Sequence, residues 1–428
     1  MSAEVKPGYK LTEVGVIHED WEVFLLSETA KRITDGEHLT PIRLSSGYYL
    51  LSARNILNGR IDLSDVDYVG KDEYRRIRQR CNPETGDVLI SCSGTIGRVA
   101  TVPNGLECVL VRSAALIKPN PEIINGTFVQ YFLQSTAGQK QIFVRINQGA
   151  QANLFLNHIQ ELRVPLPQKV SEQEAIAEAL SDADALIESL EQLITKKCQI
   201  KQGAMQELLT GKKRMPGFSG EWDVKKLGDL FRFSGGYSAS RDQLSSEGHC
   251  YLHYGDIHGS SKMIIDAKDD YQNIPKLNIP LKRIASNSLL EDGDVVFVDA
   301  SEDDEGTSKY IVVVNKDDIP FIAGLHTIVA KSKTDELTHE YRRYCFQTKD
   351  IHQQFLFFAV GTKVSGISKS NIPKLTLPVP SYPEQAAIAE ILMDMDSEID
   401  VLEVKLEKAR LLKQGMMHNL LTGKIRLL

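Results

Sequence analysis

The sequence predicts an α+β protein built as a pseudo-two-fold repeat: two globular α+β modules separated by two long helices that pack antiparallel as a coiled coil. Three observations predict it. Residues 172–214 and 384–426 align without a gap at an offset of 212, and share EQxAIAE, D-x-D, KQG and the ending LLTGK. A second, diverged set of matched residues precedes each of these segments. Within both segments, apolar residues recur at alternating spacings of four and three. A repeat of nearly half the 428 residues has to be settled first, because missing it would misassign the whole fold.

The diverged set divides the chain. Trp21-Glu22-Val23 matches Trp222-Asp223-Val224 at offset 201, and the same offset pairs Gly47 with Gly248, Leu51 with Leu252, Asn55 with Asp256 and Ile56 with Ile257. Gly86-Asp87-Val88 matches Gly293-Asp294-Val295, and Ile159, Leu162 and Pro165 match Ile372, Leu375 and Pro378. The predicted segments are therefore an N-terminal extension (1–20), a first module (21–165), a central helix (166–214), a second module with its entry segment (215–378) and a C-terminal helix (379–428). Between the anchors the halves share little. The frame is kept while the surface differs, which is the pattern of two similar modules reading two different things.

The helices follow from periodicity. Positions 176, 180, 183, 187, 190, 194, 197, 201, 204 and 208 carry Ile, Leu, Ala, Ile, Leu, Ile, Lys, Lys, Ala and Leu. Their counterparts 212 residues on are Ile, Leu, Met, Ile, Leu, Leu, Ala, Lys, Met and Leu. This is a heptad seam suited to knobs-into-holes packing. Acids crowd the first turns and bases the last, complementing the helix dipole. Ser171 with Glu174 fits a capping box, and Gly211 and Gly423 read as helix stops. Toward each helix end the apolar residues leave the seam. Gln202, Met205 and Leu209, with Gln414, Met417 and Leu421, are thus candidates for docking a partner.

Composition excludes more than it identifies. The chain is 42% hydrophobic and 25% charged, ordinary for a globular protein, and no apolar run approaches a membrane span. The N-terminus lacks the basic start and apolar stretch of a secretory signal. Six scattered cysteines read as reduced thiols of a cytoplasmic protein, without a zinc knuckle or disulfide frame. Net charge is −7; residues 21–165 carry 16 Lys+Arg against 14 Asp+Glu, and residues 222–378 carry 19 against 22. Charge alone gives no sign of a nucleic-acid partner.

Each module alternates short β-rich runs, such as GDVLISCSGTIGRVATV and SKYIVVVN, with Gly, Asn and Asp turns. No catalytic constellation is present: the sequence lacks a GxxxxGK[S/T] phosphate loop, an amino-methyltransferase N/D-P-P-Y motif, HExxH and GxSxG. The acidic run Glu302–Glu305 lacks calcium-loop spacing and reads as a solvated loop. His249, Cys250, His253 and His258 cluster on a predicted strand, where alternation sends His249 and Cys250 to opposite faces, against a metal site.

The loops hold the side chains able to bond to base edges. In the first module these are Arg54, Arg98, Arg112 and the amide-rich tract 147–153 with Gln148, Gln151 and Asn153. In the second they are Lys309 and Lys363, the latter aligned with Gln151. Arg forks onto guanine, and Asn or Gln onto adenine.

Taken together, the Trp-start modules, the terminal VPLP and LPVP, EQxAIAE, the heptad helices and LLTGK, all occurring twice, resemble the specificity subunit of type I restriction–modification enzymes. The resemblance covers almost the whole chain. It implies that the modules are target recognition domains, each reading one half of a bipartite asymmetric site on double-stranded DNA. It further implies that the helices space the half-sites and dock two methyltransferase (modification) subunits, with restriction subunits joining that core. S-adenosylmethionine, ATP and magnesium would then belong to the partner subunits, with no cofactor on this chain and no catalysis by it. The competing expectations are a coiled-coil scaffold with two protein-binding modules, and a self-sufficient methyltransferase or nuclease.

Overall fold

The computed structural model describes residues 6–146, 152–260, 262–301, 308–359 and 365–427. Two helices of 39 residues, Val170–Leu208 and Tyr382–Leu420, dominate it. Every seam position in both is buried or half-buried, whereas most residues between them are exposed. The periodicity therefore located the packed stripe. The seam is fully buried near the helix starts, at Ile176, Leu180, Ile388 and Leu392, and buried again at Leu208, Ile399, Ala409 and Leu420; Leu190 and Leu402, at its middle, are half-buried. The first helix begins at Val170, ahead of Ser171, so Ser171 lies inside it and is not its cap. Gly211 and Gly423 end the helical segments at φ +68° and +69°, the left-handed region where a Cβ costs energy.

The compact units cut across the linear segments. One takes residues 1–191 with 404–428, and the other takes 192–403. Each unit thus holds the first half of one helix against the second half of the other. In the first unit Glu172, Asp184 and Glu191 pair with Arg426, Lys413 and Arg410. Numbers rise along one helix as they fall along the other, so the halves run antiparallel. In the second unit Lys197 and Lys201 pair with Glu398 and Asp396, and Arg214 pairs with Glu384.

In the first unit, Ala30–Asp35, Ala114–Pro119, Val88–Ser91 and Val99–Thr101 form an antiparallel sheet. A second sheet joins Cys108–Leu110, Tyr48–Leu51, Asp67–Val69 and Arg43–Leu44. Strand Glu22–Leu25 pairs with Arg163–Leu166, which closes the module's two ends on each other and delivers the chain to the helix. The second unit repeats this plan. Phe231–Gly235, Thr327–Ser332, Val295–Val298, Tyr310–Val314 and Ile264–Asp266 form one sheet, a shorter one holds His249–Leu252 and Phe321–Ala323, and Asp223–Lys226 closes on Thr376–Val379. Central strands such as VLIS and VVFV are buried throughout, as β-branched runs covered on both faces should be.

The repeated motifs hold helix to module. Glu172 and Glu384 accept from Arg426 and Arg214. Gln173 spans the Ile123–Asn125 backbone, and Gln385 spans Glu336–Thr338. Asp184 and Asp396, from the shared D-x-D, accept from Tyr131 (2.8 Å) and Tyr344 (2.6 Å). The KQG lysines, Lys413 and Lys201, bind the same two carboxylates and lie over the same two rings. Burial pushes both phenols above their ordinary pKa, so each stays a donor.

This use of the helix ends corrects one expectation. Met205 and Leu209 are buried in the core of the second unit and Leu421 in that of the first, with Met417 packed half-buried against it. Apolar residues leave the seam there because the helix passes beneath the module and packs on two sides. They are not open to a partner; Gln202 and Gln414 are exposed.

Candidate nucleic-acid interface

In the first unit one line of hydrogen bonds crosses an edge of the module. The Ala53 N–H donates to Ser113 Oγ (3.1 Å), the Cys92 N–H to the Ser113 carbonyl (2.8 Å) and the Leu154 N–H to the Cys92 carbonyl (2.9 Å). Arg54, Arg112 and Asn153 are each adjacent in sequence to a residue of this line. The hairpin 92–98 rises from the same place, with Arg98 paired through its backbone to Ser91 (2.9 Å) and Ser93 bridged to Asn153. Topology therefore gathers Arg54, Arg98, Arg112 and Asn153 from loops up to about a hundred residues apart in sequence.

Their side chains are not equally available. The Arg54 guanidinium lies against Asp65 (3.4 Å) and Asp67 (3.2 Å), so it would have to give up both to reach a base. Arg112 is exposed and Arg98 half-buried, and among the described residues neither guanidinium has a hydrogen-bond or ion-pair partner. Asn153 is half-buried. Gln148, Gln151 and Lys363 lie outside the described residues, as does the run Glu302–Glu305. Arg60, which the sequence argument passed over, is exposed on a turn tied to the strand after Arg98 by the Gly59 N–H to Val99 carbonyl bond (2.9 Å).

The second unit has the same edge with different residues. The Asp299 N–H donates to the His326 carbonyl (3.2 Å), and the Ile367 N–H to the Asp299 carbonyl (2.8 Å). These bonds superpose Leu154 on Ile367 and Arg112-Ser113 on Leu325-His326 at offset 213, one more than the helices use. Where the first module has Arg112 and Ser113 on this turn, the second has Leu325 and His326, the His326 ring 3.3 Å from the Asp299 carboxylate and edge-on to Tyr254 at 5.4 Å. Lys309 donates to the His258 carbonyl (2.6 Å), which ties down the ammonium proposed for contact. His253 is not on a strand: it caps the helix Tyr254–Gly259, accepting from the Gly255 N–H at 3.0 Å. Burial holds its pKa below the ordinary imidazole value. Among the described residues no group of His, Cys, Asp and Glu is arranged to hold a metal ion.

The sequence missed His326 and Asp299 because the halves share little between anchors there. Only the hydrogen-bond register aligns them.

Comparison with known proteins decides the family. The profile of the type I restriction modification DNA specificity domain matches residues 18–197 and again 219–410. The chain belongs to that family. A Methanocaldococcus jannaschii protein provisionally named the type I restriction enzyme MjaX specificity subunit is 26% identical over 440 residues, covering 98% of this chain and 96% of its own. The MjaVIII specificity subunit of the same organism is 23% identical over 447 residues, with 96% and 94% covered. The crystal structure of a type I restriction–modification S subunit from M. genitalium superposes with TM-score 0.58 at 16% identity over 97% of this chain and 98% of that one, which supports the fold. A structure solved in a study of complex assembly and conformational transition in the type I system gives 0.53 at 15% identity over 96% and 99%.

The chain is thus a non-catalytic specificity subunit with two DNA specificity domains. Among the described residues, no helix is long and apolar enough to cross a membrane.

Proposed function

We propose that this subunit reads a bipartite, asymmetric double-stranded DNA site, one half with each module, and brings two methyltransferase subunits and the restriction subunits to it in the cytoplasm. The observation that carries the reading is the recurrent edge: one hydrogen-bond line, found in both modules, bears guanidiniums in one and an imidazole–carboxylate pair in the other. Two copies of one scaffold with unlike side chains are what an asymmetric site requires. In the first module Arg112, Arg98 and Asn153 are the contacts, Arg forking onto guanine or phosphate and Asn onto adenine. S-adenosylmethionine, ATP and magnesium act on the partner subunits.

Docking falls to the open face of the helices. Leu186, Leu193 and Ile200 remain exposed at heptad spacing on the first helix, as do Val404 and Leu411 on the second. Gln414 borders the face of Leu411, three residues on.

The spacer role is testable without disturbing either module. Deleting residues 188–194 and 400–406 together removes one heptad from each helix and leaves Asp184–Lys413 and Lys201–Asp396 in register. At 1.5 Å per residue the rod shortens by about 10 Å, or roughly three base pairs of 3.4 Å. Methylation mapping of DNA modified by the assembled complex should show both half-sites unchanged and the gap between them shorter. Altered half-sites with an unchanged gap would overturn the spacer role. A complex that methylates without any two-part motif would overturn the whole reading and favour a protein-binding scaffold.

A further inference from the structure

We infer that His326 and Asp299, seated against Tyr254, form the specificity contact of the second module, and that they read a base edge carrying an exocyclic amino group. The inference rests on the two-half reading above and names the residues that perform its second half.

Position is the first argument. The bonds from Asp299 to His326 and from Ile367 to Asp299 reproduce those from Cys92 to Ser113 and from Leu154 to Cys92. Both turns, 111–113 and 324–326, join the same two sheets of their module, since Cys108–Leu110 and Phe321–Ala323 lead in and Ala114–Pro119 and Thr327–Ser332 lead out. Whatever surface the Arg112-Ser113 turn offers to a ligand, the Leu325-His326 turn offers its counterpart, with His326 at the position of Ser113.

Strain is the second. His326 has φ +60°, in the left-handed region, and Asp318 is the only other non-glycine residue with positive φ among those described. Holding a residue with a Cβ there costs energy, and such outliers cluster where a side chain has to be presented. A glycine would fit this turn more easily, yet the chain has an imidazole whose ring leans on Tyr254 and whose Nδ1 faces Asp299.

Chemistry is the third. One Asp299 oxygen, Oδ1, is shielded from solvent, lies 3.3 Å from His326 Nδ1 and has no hydrogen bond of good geometry among the described residues. The side chain is still about one-third exposed, at 34%. An ionised carboxylate only accepts, and beside phosphates it is repelled. In the major groove the donors available to it are the cytosine N4 and adenine N6 amino groups. The ring nitrogen of His326 that Asp299 does not engage supplies a second polar group beside it.

The test uses the complex of this subunit with its methyltransferase partners, titrated onto fluorescent duplexes in which every position of both half-sites is varied. His326→Asn keeps a residue that tolerates the left-handed turn, and Asp299→Asn keeps shape while adding a donor. Both should lower discrimination at one adenine- or cytosine-bearing position of the second half-site by about tenfold and leave the first half-site as in wild type. The melting temperature of His326→Asn should be unchanged or higher, which a structural role would not give. Discrimination retained at every position by both variants, in a complex that still reads two halves, would overturn this inference alone. A wild-type complex with no preference in either half would overturn it together with the two-half reading.

Discussion

The two modules differ least where they are attached to the helices and most at the edge that carries Arg112 in one and His326 in the other. At the attachment, Glu172–Arg426, Tyr131–Asp184–Lys413 and the Gln173 clamp recur residue for residue as Glu384–Arg214, Tyr344–Asp396–Lys201 and the Gln385 clamp. At the edge only the backbone bonds recur. Attachment needs one solution used twice, because both modules sit on the same kind of helix pair. Reading an asymmetric ligand needs two solutions. The boundary between them is sharp: Cys92 and Asp299 hold equivalent backbone bonds, yet one is a buried thiol, its pKa pushed up to about 12 by burial, and the other a part-exposed carboxylate.

The largest predicted effects break the shared part. Leu180 and Leu392 are equivalent seam residues, both fully buried. Leu180→Asp and Leu392→Asp should each cost at least about 4 kcal/mol in urea unfolding, since each buries an unpaired charge. Leu190→Asp, at the half-buried middle, should cost only about 1 kcal/mol. If Leu180→Asp unfolds like wild type, the seam has been misplaced. Next come the arginines. Arg214→Met and Arg426→Met each strand a buried carboxylate, at about 3 kcal/mol. They should not be equal, however. Glu384 keeps the Trp222 Nε1–H donor (3.0 Å), whereas Trp21 Nε1 has no partner among the described residues. Arg426→Met should therefore be the costlier by about 1 kcal/mol, and the reverse order would show that Trp222 contributes nothing.

The attachment was legible in the sequence and the edge was not, for a physical reason. A heptad seam repeats every few residues and a fixed motif is copied at one offset, so both survive in a linear string. The seam, the glycine stops and the antiparallel sense were all readable. The role of Met205, Leu209 and Leu421 was not, because an apolar residue off the seam fits a partner's surface and the underside of the chain's own module equally well. Arg54 could be chosen from its type, but its ties to Asp65 and Asp67 depend on where a strand brings those carboxylates. His326 needed a register set by backbone bonds, because the turn residues Arg112-Ser113 and Leu325-His326 share no side chains.

A smaller effect compares two equivalent ion pairs. Asp87 with Lys118 and Asp294 with Lys331 follow the matched Gly-Asp-Val turns. Burial raises both carboxyls above their ordinary pKa, against the pull of the lysine and of a backbone N–H. An acid whose folded pKa exceeds its unfolded one binds more protons when folded. Its contribution to stability is therefore present below the unfolded pKa and is lost as pH rises through the folded one. Removing the lysine raises the folded pKa further. Lys331→Met should cost about 2 kcal/mol at neutral pH and under about 1 kcal/mol near pH 4, and Lys118→Met should show the same sign. A loss that grows toward acid would mean the lysine, not the buried carboxylate, sets the pH dependence.

The smallest effect tests availability within one edge. Arg54 and Arg112 are both exposed arginines beside the same hydrogen-bond line, and residue type alone would rank them alike. The structure separates them, because the Arg54 charge is offset by Asp65 and Asp67 while Arg112 has no ion-pair partner among the described residues. Arg112→Ala should weaken DNA binding by the assembled complex by about 1–3 kcal/mol, felt in the first half-site if it reads a base and uniformly if it holds a phosphate. Arg54→Ala should change binding by less than about 0.5 kcal/mol, as exposed ion pairs hold little net energy. Releasing Arg54 should do the opposite. In the double variant Asp65→Asn with Asp67→Asn the guanidinium is freed and two negative charges leave the edge. Affinity should then rise, and the dependence of log affinity on log salt should steepen by about one unit if Arg54 gains a phosphate. An Arg54→Ala loss as large as that of Arg112→Ala would show that the arginine leaves its carboxylates on binding, and would return it to the set of reading residues.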